Sequence, residues 1–168
     1  MKPIYQPNSK LDLTFDTAKI TMTEVIGIDH IYIAVADLER AELFYDKVLM
    51  ETMGFRKSKF TLGNDAHIQY FNRYFGYVLR PARTSTLSNP YAPGLHHLCL
   101  RVESVSDVVN ICTQLLNSGI EATAAKLYPE YAPDYWATYF TDPDGTLLEV
   151  TNYRLERRER HDNWSAED

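Results

Sequence analysis

Asp29-His30-Ile31-Tyr32-Ile33-Ala34-Val35 and His96-His97-Leu98-Cys99-Leu100-Arg101-Val102 share one form, His-apolar-x-apolar-x-Val, with His30 and His97 67 positions apart. The alternation has the period of a half-buried strand, so each stretch reads as β. The segment after each strand is duplicated as well. Asp37-Leu38-Glu39 leads into Ala41, Leu43, Phe44, Val48 and Leu49, while Ser104 to Asp107 leads into Val108, Ile111, Leu115 and Leu116. Both runs have an amphipathic helical period. Both stop at a glycine followed by an apolar residue, Gly54-Phe55 and Gly119-Ile120.

Three short β-type segments complete each half. In the first they are Arg56 to Leu62, Ala66 to Phe71 and Tyr77 to Leu79. In the second they are Glu121 to Leu127, Trp136 to Thr141 and Thr146 to Thr151, the last two joined by the turn Asp142-Pro143-Asp144-Gly145. A repeat of this length marks a duplicated supersecondary unit. The expected fold is therefore α+β, two tandem βαβββ modules forming a cupped mixed sheet with the helices outside. Residues 25–82 form the first module, 83–94 a connector poor in apolar residues, and 95–153 the second module. Residues 1–24 read as an N-terminal extension and 154–168 as a charged tail of weak helical character, neither expected to carry chemistry.

The composition excludes several classes. At 168 residues, with 45% hydrophobic and 24% charged residues, the chain can build a sizeable core. Its net charge of −6 is spread along the sequence without a separate Lys/Arg-rich run, which argues against a nucleic-acid surface and favours small-molecule partners. No apolar run approaches the roughly 20 residues of a membrane helix, and the N-terminus lacks a basic-then-apolar signal, so a cytoplasmic protein without a membrane partner is expected. Cys99 and Cys112, without metal-type spacing, read as buried thiols.

Strand alternation puts His30, Tyr32 and Ala34 on one face, and His97, Cys99 and Arg101 on another. Glu149 lies in the apolar run Thr146-Leu147-Leu148-Glu149-Val150. A buried carboxylate must be protonated or compensated, and a cation compensates it directly. Two imidazoles and one carboxylate on rigid strands make a facial ligand set for Zn(II), Ni(II), Mn(II) or Fe(II) with positions left open. His30, His97 and Glu149 are thus the expected ligands of one divalent metal. His96 should face the other way, His67 has no counterpart in the repeat, and His161 lies in the tail. Tyr128, Tyr131, Tyr135, Trp136 and Tyr139 suggest a pocket wall or a lid, with Tyr131 and Tyr135 the expected substrate contacts.

On Ile28 to Val35, Gly94 to Val102 and Phe140 to Val150 the sequence resembles the vicinal oxygen chelate superfamily of glyoxalases, bleomycin-resistance proteins and extradiol dioxygenases, over roughly Ile26 to Tyr153. The resemblance implies ligands on the first and last strands of both modules. Matching Gly145-to-Glu149 onto Gly76 places Arg80 where the first module's ligand is expected. A guanidinium about 4 Å from a divalent ion is repelled by roughly 8 kcal/mol at an effective dielectric near 20, so Arg80 is read instead as meeting an anionic substrate group, as pairing with a nearby acid, or as the mark of a pocket that has lost its metal. The leading function is a metal-dependent glyoxalase-like lyase or isomerase acting on vicinal oxygens, with Glu149 as catalytic residue. The alternatives are an Fe(II) ring-cleaving dioxygenase and a non-catalytic ligand-sequestering protein. A homodimer is expected, with module pairing either within or between chains.

Overall fold

The computed structural model describes residues 23–84 and 86–164, so most of the N-terminal extension lies outside the described residues. The first module runs β1 His30–Val35, α1 Leu38–Tyr45, a π-helical segment Asp46–Thr52, β2 Arg56–Leu62, β3 Asp65–Phe71 and β4 Gly76–Pro81. The second runs β5 Leu98–Val102, α2 Val105–Asn117, β6 Lys126–Leu127, β7 Trp136–Thr141 and β8 Leu147–Asn152, followed by α3 Leu155–Asp162. The sheets are ordered β1-β4-β3-β2 and β5-β8-β7-β6, the same topology twice, with the outer pairs β1/β4 and β5/β8 parallel. No helix among the described residues is long and apolar enough to cross a membrane.

Local signals fix the helices. The Asp37 side chain accepts from Arg40 N at the start of α1, and Ser104 with Asp107 forms a reciprocal capping box at the start of α2. At the two glycine stops the backbone closes by one residue differently, Phe55 N donating to Leu49 O, six residues back, at 2.8 Å and Ile120 N to Leu115 O, five residues back, at 3.0 Å. The π-helical segment has no counterpart in α2. The Thr52 hydroxyl donates to Lys47 O, five residues back, at 2.9 Å, a bond that accompanies the widened turn. The segment expected at Glu121 to Leu127 shortens to β6 and an isolated bridge between Ala122 and Phe140.

One core serves both halves. Ile33, Val35, Tyr45, Leu49, Tyr70 and Leu79 of the first module belong to the same buried cluster as Ile111, Leu115, Phe140, Leu148 and Val150 of the second. Each sheet therefore gives its helix-covered side to a common interior. The other sides, carrying Tyr32 and Ala34 in β1 and Cys99 and Arg101 in β5, lie exposed on the outside of that interior.

The turn between β7 and β8 locks the halves together. Asp144 accepts from Ala36 N at 2.8 Å and from the Arg40 guanidinium. Asp142 accepts from the Tyr45 hydroxyl at 2.9 Å, and from Asp144 N and Thr146 N at 3.0 and 2.7 Å. Burial, then Tyr77 and Asp142, pushes the Tyr45 phenol well above its ordinary range, so it remains a donor to Asp142. Replacing Asp142 with alanine takes the acceptor from the Asp144 and Thr146 amides and leaves the Tyr45 hydroxyl with Tyr77 alone, at 2.8 Å, and is expected to cost about 3 kcal/mol of stability, read as a lower urea midpoint. Asp142→Asn keeps an acceptor and should cost less; equal midpoints for both variants and wild type would show that the turn is no lock.

Candidate metal centre

Glu149 lies in the middle of β8, opposite Cys99 on the parallel β5 and opposite Tyr139 on the antiparallel β7. It is only 1% exposed. Its two oxygens have different partners. Oε1 accepts from the Tyr135 hydroxyl at 2.6 Å and from the Tyr139 hydroxyl at 3.0 Å. Oε2 faces His97 Nε2 at 3.0 Å. Burial first, then the bond to Glu149, raises the Tyr135 phenol; burial first, then the Glu149 charge, raises that of Tyr139. Both hydroxyls therefore stay protonated and hold one carboxylate oxygen, leaving the other beside an imidazole.

His97 precedes β5 rather than belonging to it, and this changes the expectation for His96. Outside the ladder the two residues need not alternate, and the Nδ1 atoms of His96 and His97 lie 2.7 Å apart. His96 therefore does not face away; its ring meets that of His97 edge-on, with the centroids 5.0 Å apart. Cys99, read from sequence as buried, is exposed, because the side of β5 on which it lies carries no helix; Cys112 is buried as expected. Burial of the thiol itself, then the Glu149 charge, pushes Cys99 up to about 12, partly offset by Tyr135 and Arg154. Iodoacetamide should therefore label Cys99 at pH 8 roughly a hundredfold more slowly than a free thiol despite its exposure; labelling at the free-thiol rate would contradict this.

His30 is elsewhere in the chain. It pairs in register with Gly76, and its Nδ1 lies 2.6 Å from Asp29 Oδ2. The hollow beside it, ≈ 460 Å³, is bounded only by first-module residues, among them Ser58, Gln69, Phe71 and Tyr74. Among the described residues no three His, Cys, Asp or Glu side chains gather closely enough to hold a metal. A single chain thus brings His97 and Glu149 together and leaves His30 apart. His67 is buried against Phe60, ring stacked on ring at 4.9 Å, with Nδ1 3.0 Å from Asp65 O.

The register also corrects the position assigned to Arg80. Glu149 is the partner of Cys99, two residues after His97; the partner of Tyr32, two residues after His30, is Val78. The first-module equivalent of Glu149 is therefore Val78, buried and apolar, and Arg80 lies one step further along the same side. The two-residue offset arises because Gly145 closes its turn at φ 83 before β8, whereas Gly76 is already a strand residue. At Gly76 an added Cβ would stand 3.0 Å from Gln69 Nε2 and in ordinary contact, 3.4 Å, with the His30 Cβ. Arg80 Nη2 reaches Asp65 Oδ2 at 3.2 Å, and Arg83 grips the same carboxylate at 3.1 and 2.6 Å.

The tyrosines expected near the site form a continuous wall. Tyr131 meets Tyr135 edge-on at 5.4 Å and stacks on Tyr128 at 5.8 Å, and Tyr128 meets Tyr139 edge-on at 5.5 Å. Tyr131 is exposed. Sequence reading placed Tyr139 among these aromatics without a role; its position opposite Glu149 followed from nothing but the β7/β8 register.

Solved structures share this architecture. A glyoxylase/bleomycin resistance protein/dioxygenase domain from Frankia sp. EAN1pec superposes with a TM-score of 0.65 at 22% identity, covering 78% of this chain and 100% of its own. A mutant of the fosfomycin resistance protein FosX from Listeria monocytogenes, complexed with Mn(II) and a dihydroxypropylphosphonic acid, gives 0.61 at 16% identity over 80% of this chain and 98% of its own. Lactoylglutathione lyase from Agrobacterium tumefaciens gives 0.55 at 19% identity, over 79% and 96%. At these identities the likeness is one of fold. The family model matches residues 27–150, a span that takes in both modules: the chain belongs to the Glyoxalase/Bleomycin resistance protein/Dioxygenase superfamily.

Proposed function

We propose that the protein is a metal-dependent, glyoxalase-like lyase or isomerase acting on a small molecule with vicinal oxygens, and that its metal site is shared between two copies of the chain. In this reading His97 and Glu149 of one chain and His30 of the other hold one divalent ion. The observation that carries it is the Glu149 carboxylate, buried, with Oε1 held by two tyrosines and Oε2 left beside His97 Nε2. Such an arrangement suits a cation, which offsets the cost of burying the charge.

The donor types fit the ion, and sharing supplies the third donor. The first-module side that carries His30 also exposes Tyr32, Phe60 and Leu62, at 43%, 37% and 64%. An uncovered sheet face with such residues is suited to a partner surface. A second copy placing its His97 and Glu149 there would cover it.

When bound, the ion polarises a pair of substrate oxygens. The remaining work belongs to the side chains. Glu149 Oε2, the oxygen the tyrosines do not hold, would take up a proton only on release from the ion, while Tyr135 and Tyr139 keep the carboxylate from turning. Tyr131 and Tyr135 present ring surface to the substrate, and Arg80, with its charge shared between Asp65 and solvent, borders the site from the His30 side.

Metal analysis of the purified protein, with His97→Ala beside it, tests the reading. One zinc, nickel or manganese per chain in the wild type, lost in the variant, is the expected result. Iron with oxygen uptake on catechols would replace the lyase by a dioxygenase. No stoichiometric metal after supplementation would replace it by a ligand-binding protein.

A further inference from the structure

A second hollow lies along β1, between the modules, and none of the three expected metal ligands lines it. Its volume is ≈ 300 Å³, and it is closed by Ser88 of the connector, by Leu95, and by Asp144 and Thr146 at the β7–β8 turn. Ser88 N donates to Asp144 O at 2.8 Å, which ties the connector to that turn.

β1 is the edge of its sheet, with β4 its one neighbour among the described residues. Gly76 N donates to Asp29 O and Ala82 N to Val35 O, both at 2.8 Å, so the odd-numbered residues of β1 face β4 in this parallel pair. The even-numbered residues face away. Tyr32 and Ala34, which line the hollow, thus turn their N–H and C=O groups outward, where these meet no partner among the described residues. At the next even position the edge is already served. Ala36 N donates to Asp144 Oδ2 at 2.8 Å, a side-chain oxygen standing in for the carbonyl of an added strand.

Thr146 brings a further unused group. It is 8% exposed, and its hydroxyl makes no hydrogen bond among the described residues. No enclosed side-chain nitrogen or oxygen of those residues lacks a partner, so the exposed part of Thr146 includes the hydroxyl, at the wall of the hollow. That wall is otherwise uncharged. Asp144 is the one ionisable carboxylate on it, and Ala36 N and the Arg40 guanidinium already occupy its oxygens. Ile31, Ile33 and Leu95 make the rest apolar.

Alternating backbone donors and acceptors on a free edge, beside a neutral wall, match the chemistry of an extended peptide that adds as a strand. Tyr32 and Ala34 are two residues apart, about 6.6 Å at the rise of a strand, and so serve a stretch of about three residues. We propose that this hollow is a peptide-binding site, in which a neutral, extended segment of small residues pairs with β1 at Tyr32 and Ala34 and meets the Thr146 hydroxyl. The backbone supplies the affinity, and the volume limits the side chains to small ones.

The probe is N-acetyl-trialanine amide, titrated into the isotope-labelled full chain and followed by NMR. In the free protein the Tyr32 and Ala34 amides should exchange rapidly with solvent. On titration they should shift, with a dissociation constant of about 1 mM, since each hydrogen bond contributes little in net terms. The same peptide methylated on every nitrogen has no donor for β1 and should bind more weakly by about tenfold or more. Thr146→Val keeps the shape without the hydroxyl and should weaken binding by about threefold to tenfold. Ala34→Pro removes an N–H that no neighbouring strand uses, a change an edge strand tolerates, and should abolish binding. If that variant does not fold, the two peptides and Thr146→Val decide. Unmoved Tyr32 and Ala34 resonances, equal affinity for the two peptides, or full affinity in Thr146→Val overturns the proposal. So does protection of both amides in the free protein, which would mean that a second copy already pairs with this edge.

Discussion

Replacing Glu149 with alanine should abolish stoichiometric metal retention, lowering affinity by more than about a hundredfold, since a lost ligand exceeds the 10–100-fold cost of losing a supporting hydrogen bond. The fold should suffer too. The change leaves the Tyr135 and Tyr139 hydroxyls and the His97 ring facing a cavity where an acceptor stood. About 2–4 kcal/mol of stability is expected to go, and the thermal midpoint should fall by roughly 5–10 °C. Glu149→Gln preserves shape and should recover much of the stability but little of the metal. Retention of one ion per chain by the alanine variant would take Glu149 out of the site.

The second large effect is a complementation. Chains carrying His30→Ala or His97→Ala should each lose the metal, because each removes one of three ligands from every site. In a heterodimer of the two, one site combines the intact His30 of one chain with the intact His97 and Glu149 of the other. The purified heterodimer should therefore regain one ion per dimer, while the opposite site lacks both imidazoles. No recovery would return the site to a single chain, or end it. The structure motivates the cross because His97 and Glu149 lie 3.0 Å apart and His30 lies in a hollow of purely first-module residues.

How much of this was legible in the sequence differs by level. The duplication was plain because strand and helix periods are local properties, and β2 and β7 have the bounds that alternation and turn residues indicate. Glu149 was conspicuous because a carboxylate in an apolar run must be explained. Three things were not readable. The equivalence of Glu149 with Val78 rather than Arg80 depends on where each turn ends relative to its ladder, and a two-residue offset leaves every side chain on the same side of the sheet. The exposure of Cys99 depends on what covers a sheet, which periodicity does not record. The place of Arg154 depends on the direction in which the chain leaves β8, which set a residue of an apparently inert tail beside Tyr135.

The β7–β8 turn has a mechanical consequence. It grips Ala36 and Arg40 through Asp144, and four residues beyond Gly145 the same strand delivers Glu149. Asp144 is thus the link between the start of α1 and the strand that carries the carboxylate. If the proposed metal site holds, substitutions at Arg40 should weaken metal retention although Arg40 touches none of the three expected ligands.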